Sequence, residues 1–173
     1  MLRGHDVYIV IKVSPWFSSN VERGQPQGGF VGVFDSHTGR TLALLNEEHY
    51  LSDIRTAAAG ALAARMLAPC NVKTAAVLGA GVQAYWQPLA LYRERPFTTL
   101  LIWARSLQKA EQLKTRLSGK LPDVDIRCSS DIERAVRSAD VLITATLARE
   151  PLLQGARLRE GLQITDGRRR RPN

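Results

Sequence analysis

Residues 74–84, Thr-Ala-Ala-Val-Leu-Gly-Ala-Gly-Val-Gln-Ala, decide the fold of this chain. The apolar run at the start of this stretch predicts a buried strand, and a helical pattern begins at Val82. Between them, Gly79 permits a tight turn and Gly81 lets backbone N–H groups approach a phosphate at the positive end of the helix. Ala84 stands at the third small position of a G-x-G-x-x-G/A motif. The pattern predicts a dinucleotide site, although an ordinary βα turn could carry the same glycines.

Strand and helix patterns alternate on the carboxyl side of the glycine turn. Buried-strand patterns cover residues 99–103, 125–128 and 141–145, and helical patterns cover residues 82–93, 107–117 and about 131–138. Ser106 is a predicted N-cap of the second helix, and Ser130-Asp131-Ile132-Glu133 matches a capping box for the third. The βαβαβαβ order predicts an α/β fold with a Rossmann-type, doubly wound parallel sheet, whose ligand lies at the carboxyl ends of the strands.

The region before the glycine turn predicts a small β-rich part followed by a helix. Residues Val7–Val13 have a strand pattern, residues 14–29 a loop pattern, and Phe30–Phe34 and Thr41–Leu45 the pattern of a hairpin. Ser52 is a predicted cap of a helix that runs from Asp53 to about Leu67.

Composition and charge argue against several classes of protein. The chain has 173 residues, of which 45% are hydrophobic and 23% charged, as in a globular protein, and no apolar run is long enough to span a membrane. Half of the net charge of +8 comes from Arg168–Arg171, and the other basic residues alternate with acidic ones. This distribution disfavours nucleic acid as a partner.

Cysteine and histidine usage predicts a cytoplasmic protein without a metal. Cys70 and Cys128 are far apart and show no paired spacing, which is typical of thiols in a reducing compartment. The three histidines are scattered without the spacing of metal ligands, at His5, His37 and His49.

The end of the second Rossmann strand indicates which dinucleotide is bound. NAD-preferring sites usually place an acidic residue here, and the segment Trp103-Ala104-Arg105-Ser106 has none. Arg105 can pair with a 2′-phosphate and Ser106 can add a hydroxyl, so NADP(H) is favoured over NAD(H). The alternative is a surface arginine beside an N-cap serine. The candidate cofactor-binding residues are thus Gly79, Ala80, Gly81, Val82, Gln83, Arg105, Ser106 and, where small residues end a later strand, Thr144 and Ala145.

Two cations stand in unusual places before the glycine turn. Lys12 interrupts an apolar strand, where a charge is costly unless it reaches a cleft or water. Arg55 lies near the predicted start of a helix, where a cation opposes the helix dipole. A surface lysine and a surface arginine are the alternatives, but Arg55 could instead hold a substrate carboxylate with two hydrogen bonds.

Taken together, these stretches resemble the ornithine cyclodeaminase/μ-crystallin family. The resemblance runs from about residue 6 to about residue 165, and Arg-Thr-Ala-Ala together with Gly-Ala-Gly-x-Gln-Ala is its most specific part. The Lys-Val-Ser-Pro start and the Leu-Ser-Asp-Ile-Arg-Thr-Ala-Ala-Ala-Gly segment are most similar to ectoine-utilisation homologues. The matching segments are Ile11–Val13, Asp53–Ala59, Leu78–Ala84, Ala139–Thr146 and Arg149–Leu152.

The resemblance implies a division of the chain and a chemistry. Residues 1–68 would be part of a substrate and dimerisation lobe, residues 69–165 a Rossmann NADP-binding domain, and residues 166–173 an aberrant basic tail. The family usually forms homodimers and moves hydride between a nicotinamide and an amino acid or cyclic imino acid. By this resemblance Lys12 lies beside the reacting carbon and the substrate carboxylate, Arg55 holds the carboxylate, and Thr56 approaches the cofactor.

The chain departs from the family pattern at both ends. An early helix with a substrate-binding arginine is absent before Met1, and the expected Gly-Ala-Asp-like stretch with a catalytic acid is replaced by Asp-Gly and four arginines. A frameshift near residue 166 would explain this ending, and the product would bind NADP(H) weakly with little turnover. The sequence therefore leaves two readings open, an impaired enzyme of this family and a non-catalytic NADP(H)-binding or small-ligand-binding module. The Arg-Thr-Ala-Ala segment argues against an unrelated Rossmann dehydrogenase.

Overall fold

The computed structural model describes residues 7–146, 148, 150–155 and 158–166. The chain divides into two compact units, Met1–Ser52 and Asp53–Asn173. The boundary between these units follows Ser52, whereas the resemblance places the end of a substrate lobe at residue 68. The division by function stays a prediction. Arg149 and the arginine run Arg168–Arg171 lie outside the described residues.

The first unit is built on an antiparallel sheet of three strands in the order β1-β2-β3. Its elements are β1 (Tyr8–Val13), α1 (Ser18–Glu22), β2 (Phe30–Asp35) and β3 (Thr41–Asn46). The predicted hairpin is confirmed, since β2 and β3 pair antiparallel around a turn in which the Asp35 carboxylate accepts from the backbone N–H groups of His37 and Thr38.

The loop predicted over residues 14–29 contains a short helix, α1, so that prediction was wrong for Ser18–Glu22. The buried side chain of Gln27 explains how this segment is held. Its Oε1 accepts from the Phe17 N–H at 2.8 Å, and its Nε2 donates to the Phe17 carbonyl at 2.9 Å. An amide that pairs with a backbone in this way has no periodic signature in a sequence.

The second unit confirms the predicted Rossmann-type parallel sheet. Its strands are β4 (Thr74–Leu78), β5 (Thr99–Trp103), β6 (Asp125–Cys128), β7 (Val141–Thr144) and β8 (Gln163–Asp166), in the order β6-β5-β4-β7-β8. Its helices are α3 (Val82–Glu94), α4 (Leu107–Ser118) and α5 (Ile132–Arg137), and α2 (Tyr50–Leu67) precedes the sheet. The order reverses at β4, which places the glycine turn at the point where such folds bind their ligands.

Strand β8 is absent from the predicted elements. It has only four residues, of which Ile164 alone is apolar, so it lacks the continuous apolar run of a central parallel strand. Asp166, the first residue of the predicted basic tail, is the last residue of β8.

The core of the second unit has two layers, one on each face of β4. Ala75 and Val77 pack on one face with α3 and α4, and Ala76 and Leu78 pack on the other face with Val136 and Leu142. All four β4 side chains are fully buried. A strand covered on both faces loses the alternation of a half-exposed strand, which is why it appears in the sequence as an unbroken apolar run.

The helix caps correct two details of the prediction. The α2 helix begins at Tyr50, so Ser52 lies within it and does not cap it; the carboxylate of Glu47 accepts from the Ser52 N–H instead, at 3.0 Å. The cap of α5 is Asp131 and not Ser130, because the Asp131 carboxylate accepts from the N–H groups of Glu133 and Arg134. The Ser106 cap of α4 is confirmed, since its hydroxyl accepts from the Lys109 N–H.

Candidate functional site

The glycine turn lies at the carboxyl end of β4. Gly79 has a φ of 122°, which L side chains rarely adopt, and its N–H donates to the carbonyl of Trp103 at 2.7 Å. A Cβ atom on Gly79 would lie 2.1 Å from the carbonyl oxygen of Ala145. The protein's own packing therefore requires a glycine at this position.

Gly81 is a glycine for a different reason. Its backbone is extended, with a φ of −88°, and no atom of the described residues lies within 4 Å of the Cβ position that an alanine would add. Gly81 directly precedes α3, whose first N–H groups have no partners within the helix and lie at the positive end of its dipole. An open space beside unpaired N–H groups fits a pyrophosphate, so the turn passes a structural test for a dinucleotide.

The ends of the neighbouring strands surround this turn. Leu78, the last residue of β4, is in register with Trp103 of β5 on one side and with Thr144 of β7 on the other. The Ala145 N–H donates to the Leu78 carbonyl at 2.8 Å. The structure thus brings the predicted residues Thr144 and Ala145 to the same sheet edge as the glycine turn.

Thr144 also makes a contact that the sequence did not predict. Its hydroxyl donates to the carboxylate of Asp166 in β8 at 2.7 Å. The hydroxyl proton of Thr144 is therefore used within the protein, and what remains for a ligand is the hydroxyl oxygen as an acceptor and the backbone.

Arg105 and Ser106 follow β5 at the same edge of the sheet. Arg105 is exposed, and no acidic partner of its guanidinium occurs among the described residues. The hydroxyl of Ser106 is partly engaged as the α4 cap, at 3.4 Å from the Lys109 nitrogen. An exposed guanidinium beside a helix start, with no carboxylate at the strand end, is an arrangement that can hold a phosphate.

The α2 helix carries the two predicted residues Arg55 and Thr56 within the second unit. Arg55 lies beyond the first turn, since the helix begins at Tyr50, so the argument from an opposed helix dipole does not apply. Arg55 is exposed, and its Nη2 lies 3.4 Å from the Thr56 hydroxyl. The guanidinium therefore remains accessible to a carboxylate.

Gln83 joins α3 to α2. Its Nε2 donates to the carboxylate and to the carbonyl of Asp53, at 3.0 and 3.3 Å. Gln83 was predicted to bind the cofactor, but its side-chain amide is directed to Asp53. What remains for a dinucleotide is its backbone N–H in the first turn of α3.

Gln87 makes a second link between the same two helices. This side chain is 3% exposed, and its Nε2 donates to the Thr56 carbonyl at 3.3 Å and to the Gln83 side chain at 3.4 Å. A Cβ on Gly60 of α2 would lie 2.1 Å from the Gln87 Oε1, so the observed position of the buried Gln87 amide depends on that glycine. The helix that starts at the glycine turn is thereby tied to the helix that carries Arg55.

Lys12 belongs to a polar cluster in the first unit, which we call the Glu47 cluster. It consists of Lys12, Ser14, Glu47, His49 and Ser52. Lys12 lies on the edge strand β1 and its Nζ donates to the Ser52 hydroxyl at 3.1 Å. Lys12 is exposed, which agrees with the alternative that it is a surface lysine, but its ammonium group is hydrogen-bonded within the protein.

Glu47 is the anionic centre of this cluster. It is 6% exposed, and burial alone would raise its pKa. Hydrogen bonds from the Ser52 hydroxyl and from the Ser52 and Leu51 N–H groups outweigh that effect and hold the pKa below its ordinary value. Glu47 is therefore a carboxylate at neutral pH and an acceptor only.

Sequence reasoning missed Glu47, Ser14 and His49 as members of the Glu47 cluster in the first unit, and it missed Gln87 as a link between α2 and α3 in the second unit. The available signal for the first of these was an acidic residue shortly before a helix start, which is typical of a capping residue. His49 has a φ of 71°, and the neighbouring sequence contains no pattern that predicts a positive φ at this position.

Two kinds of feature are absent from the described ranges. No group of three or more His, Cys, Asp or Glu residues that could hold a metal ion is found there. No helix in the described part of the chain is long and apolar enough to cross a membrane.

Comparison with known proteins gives a family match over nearly the whole chain. Residues 2–167 match the ornithine cyclodeaminase/mu-crystallin family. An uncharacterized cyclodeaminase of Sinorhizobium fredii is 41% identical over 157 residues, which cover 90% of this chain and 47% of that protein. The ketimine reductase mu-crystallin of Mus musculus is 34% identical over 132 residues, covering 76% of this chain and 40% of its own.

A solved structure with bound ligands is also similar. The Δ1-pyrroline-2-carboxylate reductase of Thermococcus litoralis, in complex with NADH and L-proline, superposes with a TM-score of 0.82 at 32% identity. The match covers 91% of this chain and 48% of that protein. The chain thus spans about half the length of the relatives that it matches.

Proposed function

Because this chain belongs to the ornithine cyclodeaminase/mu-crystallin family, we propose that it binds a pyridine dinucleotide and acts by hydride transfer on an amino acid or cyclic imino acid. The observation that carries the proposal is the glycine turn, where packing requires Gly79 and leaves space open at Gly81. The complex of the Thermococcus relative with NADH and L-proline supports both ligand classes.

We propose that the dinucleotide is NADP(H). The N–H groups at the start of α3 would hold the pyrophosphate, and Ala80 and Val82 would contribute backbone contacts beside the glycines. Arg105 would pair with the 2′-phosphate. The strand end carries no carboxylate, which would repel that phosphate. Because the Thermococcus relative is in complex with NADH, the preference of this chain for NADP(H) over NAD(H) is the first claim to test.

The substrate residues are proposed from the resemblance, each within its own unit. Arg55, exposed on α2, would bind a carboxylate with its guanidinium fork. Lys12 would bind the same class of group as a point charge, from a position fixed by the Glu47 cluster. When bound, a nicotinamide supplies hydride transfer; the side chains of this chain bind and orient the ligand.

A titration of the purified chain with NADPH and with NADH, followed by nucleotide fluorescence, tests the cofactor claim. Tighter binding of NADH than of NADPH would contradict the assignment of Arg105. Reduction of a cyclic ketimine with NADPH then tests the enzyme claim. Binding without any turnover would favour the non-catalytic NADP(H)-binding module that the sequence leaves open.

We propose a homodimer as the assembled form. The support is the number of large apolar side chains that the first unit leaves exposed on β1 and β3, namely Ile9, Val10, Ile11, Val13, Leu42, Leu44 and Leu45. Successive strand residues point to opposite faces, so apolar side chains are exposed on both faces of this sheet, and exposed apolar surface is typical of a protein interface. Sedimentation velocity on the purified chain would measure the mass, and a monomer at all concentrations would contradict the proposal.

A further inference from the structure

The Glu47 cluster contains an unbroken line of hydrogen bonds that ends at Lys12. The Lys12 Nζ donates to the Ser52 Oγ at 3.1 Å, and the Ser52 Oγ donates to the Glu47 Oε1 at 2.6 Å. The Ser52 backbone N–H donates to the second carboxylate oxygen, Oε2, at 3.0 Å. Ser52 is 2% exposed, so its hydroxyl is fixed inside the protein.

The direction of every bond in the cluster follows from counting protons. The single hydroxyl proton of Ser52 goes to Glu47, which as a carboxylate only accepts. Ser52 can then only accept from Ser14, whose Oγ lies 3.0 Å away, so Ser14 is the donor in that pair. Having given its proton to Ser52, Ser14 must accept from the His49 Nε2 at 2.9 Å. His49 therefore carries a proton on Nε2.

This arrangement gives the Lys12 ammonium group one defined position. A lysine on an exposed edge strand samples many rotamers, because its four-carbon stem is flexible. Here one of its three N–H donors is bound by a buried hydroxyl that is itself held by a buried carboxylate. The remaining donors are those that can meet a ligand.

We propose that Ser52 and Glu47 are positioning residues that fix the Lys12 ammonium group for binding a carboxylate, with Ser14 and His49 completing the network. The ligand class rests on the proposed function, in which Lys12 contacts the substrate. The positioning itself rests only on the contacts within the first unit. The two parts can therefore be tested separately.

The competing explanation is that the cluster only caps α2. Glu47 does accept from the Ser52 and Leu51 N–H groups at the start of that helix. The two explanations differ at the Ser52 hydroxyl, because Ser52→Ala removes the anchor of Lys12 while it keeps the backbone bond to Glu47. Ser52→Thr keeps both.

The test is competitive acetylation of the full chain with a trace of amine reagent, read as the labelling of Lys12 relative to Lys109 by peptide mass spectrometry. We expect Ser52→Ala to raise this ratio about three- to tenfold, as for the loss of one ordinary hydrogen bond at an exposed side chain, and Ser52→Thr to leave it near the wild-type value. Glu47→Gln should also raise it. Far-UV circular dichroism checks that each variant is folded.

An unchanged labelling ratio in folded Ser52→Ala would overturn the positioning role. If Ser52→Ala does not fold, Glu47→Gln decides in the same way, because it keeps the size of the side chain. Pyrrole-2-carboxylate, a planar analogue of a cyclic imino acid, provides the second arm. If it fails to slow the labelling of wild-type Lys12, the substrate role proposed for Lys12 is wrong, while the response to Ser52→Ala still decides the positioning role.

Discussion

Gly79 and Ala145 approach each other so closely that a Cβ on Gly79 would lie 2.1 Å from the Ala145 carbonyl oxygen. The contact joins the first strand end of the Rossmann sheet to the strand end beside it, and it places two loops of the candidate cofactor site in fixed positions. Gly81, two residues further on, has no such neighbour among the described residues. The two glycines can therefore be separated by experiment.

Gly79→Ala and Gly81→Ala are expected to fail in different ways. Gly79→Ala should lower the free energy of unfolding by at least about 1–3 kcal/mol, because it adds backbone strain and a clash with Ala145. Gly81→Ala should leave stability nearly unchanged and weaken NADPH binding about tenfold or more, because its methyl group would occupy the space of the pyrophosphate. Urea unfolding and fluorescence titration measure the two quantities. Equal loss of stability in both variants would contradict the distinction.

Arg105→Ala should weaken NADPH binding and leave NADH binding nearly unchanged. Removal of one hydrogen-bonded charge pair costs about 1.5–3 kcal/mol, which corresponds to about a ten- to hundredfold loss of affinity for NADPH. Arg93→Ala, an exposed arginine in the last turn of α3, is the matched control and should change neither affinity. A parallel loss for both nucleotides in Arg105→Ala would argue for a general electrostatic effect instead.

Gly60→Ala should destabilise the second unit through Gln87. The added methyl would lie 2.1 Å from the Gln87 Oε1 and 3.1 Å from the Thr165 Cγ2, so the buried amide must move. We expect Gly60→Ala to lower the free energy of unfolding by about 1–3 kcal/mol. The double variant Gly60→Ala/Gln87→Ala should lose less than the sum of the two single-variant losses. Thermal unfolding of the four proteins measures this coupling, and strictly additive losses would show that the helices adjust independently.

Asp140 should make the stability of the chain depend on pH. Burial raises its pKa, but hydrogen bonds from the Thr74 and Lys73 N–H groups, at 2.9 and 2.8 Å, and the ion pair with Arg159 lower it more, so its pKa in the folded chain is below the ordinary value of an aspartate. A carboxyl with a lowered folded pKa contributes stability that is present above its unfolded pKa and is lost as the pH falls through the folded one.

The corresponding variant is Asp140→Ala, which leaves two backbone donors without this acceptor. At neutral pH we expect a loss of about 1–3 kcal/mol in the free energy of unfolding, and the difference from wild type should shrink as the pH is lowered below about 4. Asp123→Ala removes an exposed carboxylate in a turn and should cost less than about 0.5 kcal/mol. A difference that stays constant across this pH range would rule out the ionised carboxylate as its source.

The sequence was sufficient for those parts of the structure that depend on near neighbours. The apolar run of β4, the glycines after it and the alternation of strands and helices are local patterns, and the sheet and the position of the glycine turn followed from them. Strand β8 was not predicted, because a short edge strand has no distinctive local sequence pattern. The caps at Ser52 and Ser130 were misassigned because acidic side chains, those of Glu47 and Asp131, accept from the first N–H groups of the two helices.

The sequence by itself thus determined the family, the Rossmann-type sheet and the position of the glycine turn in it, since strand, turn and helix propensities act over a few residues. Tertiary structure alone decided which partners the functional side chains have. Lys12 meets Ser52 across 40 positions, and Gln83 meets Asp53 across 30. Hydrogen bonds of this kind depend on where separate elements come together in space, and no periodicity along the chain records that distance.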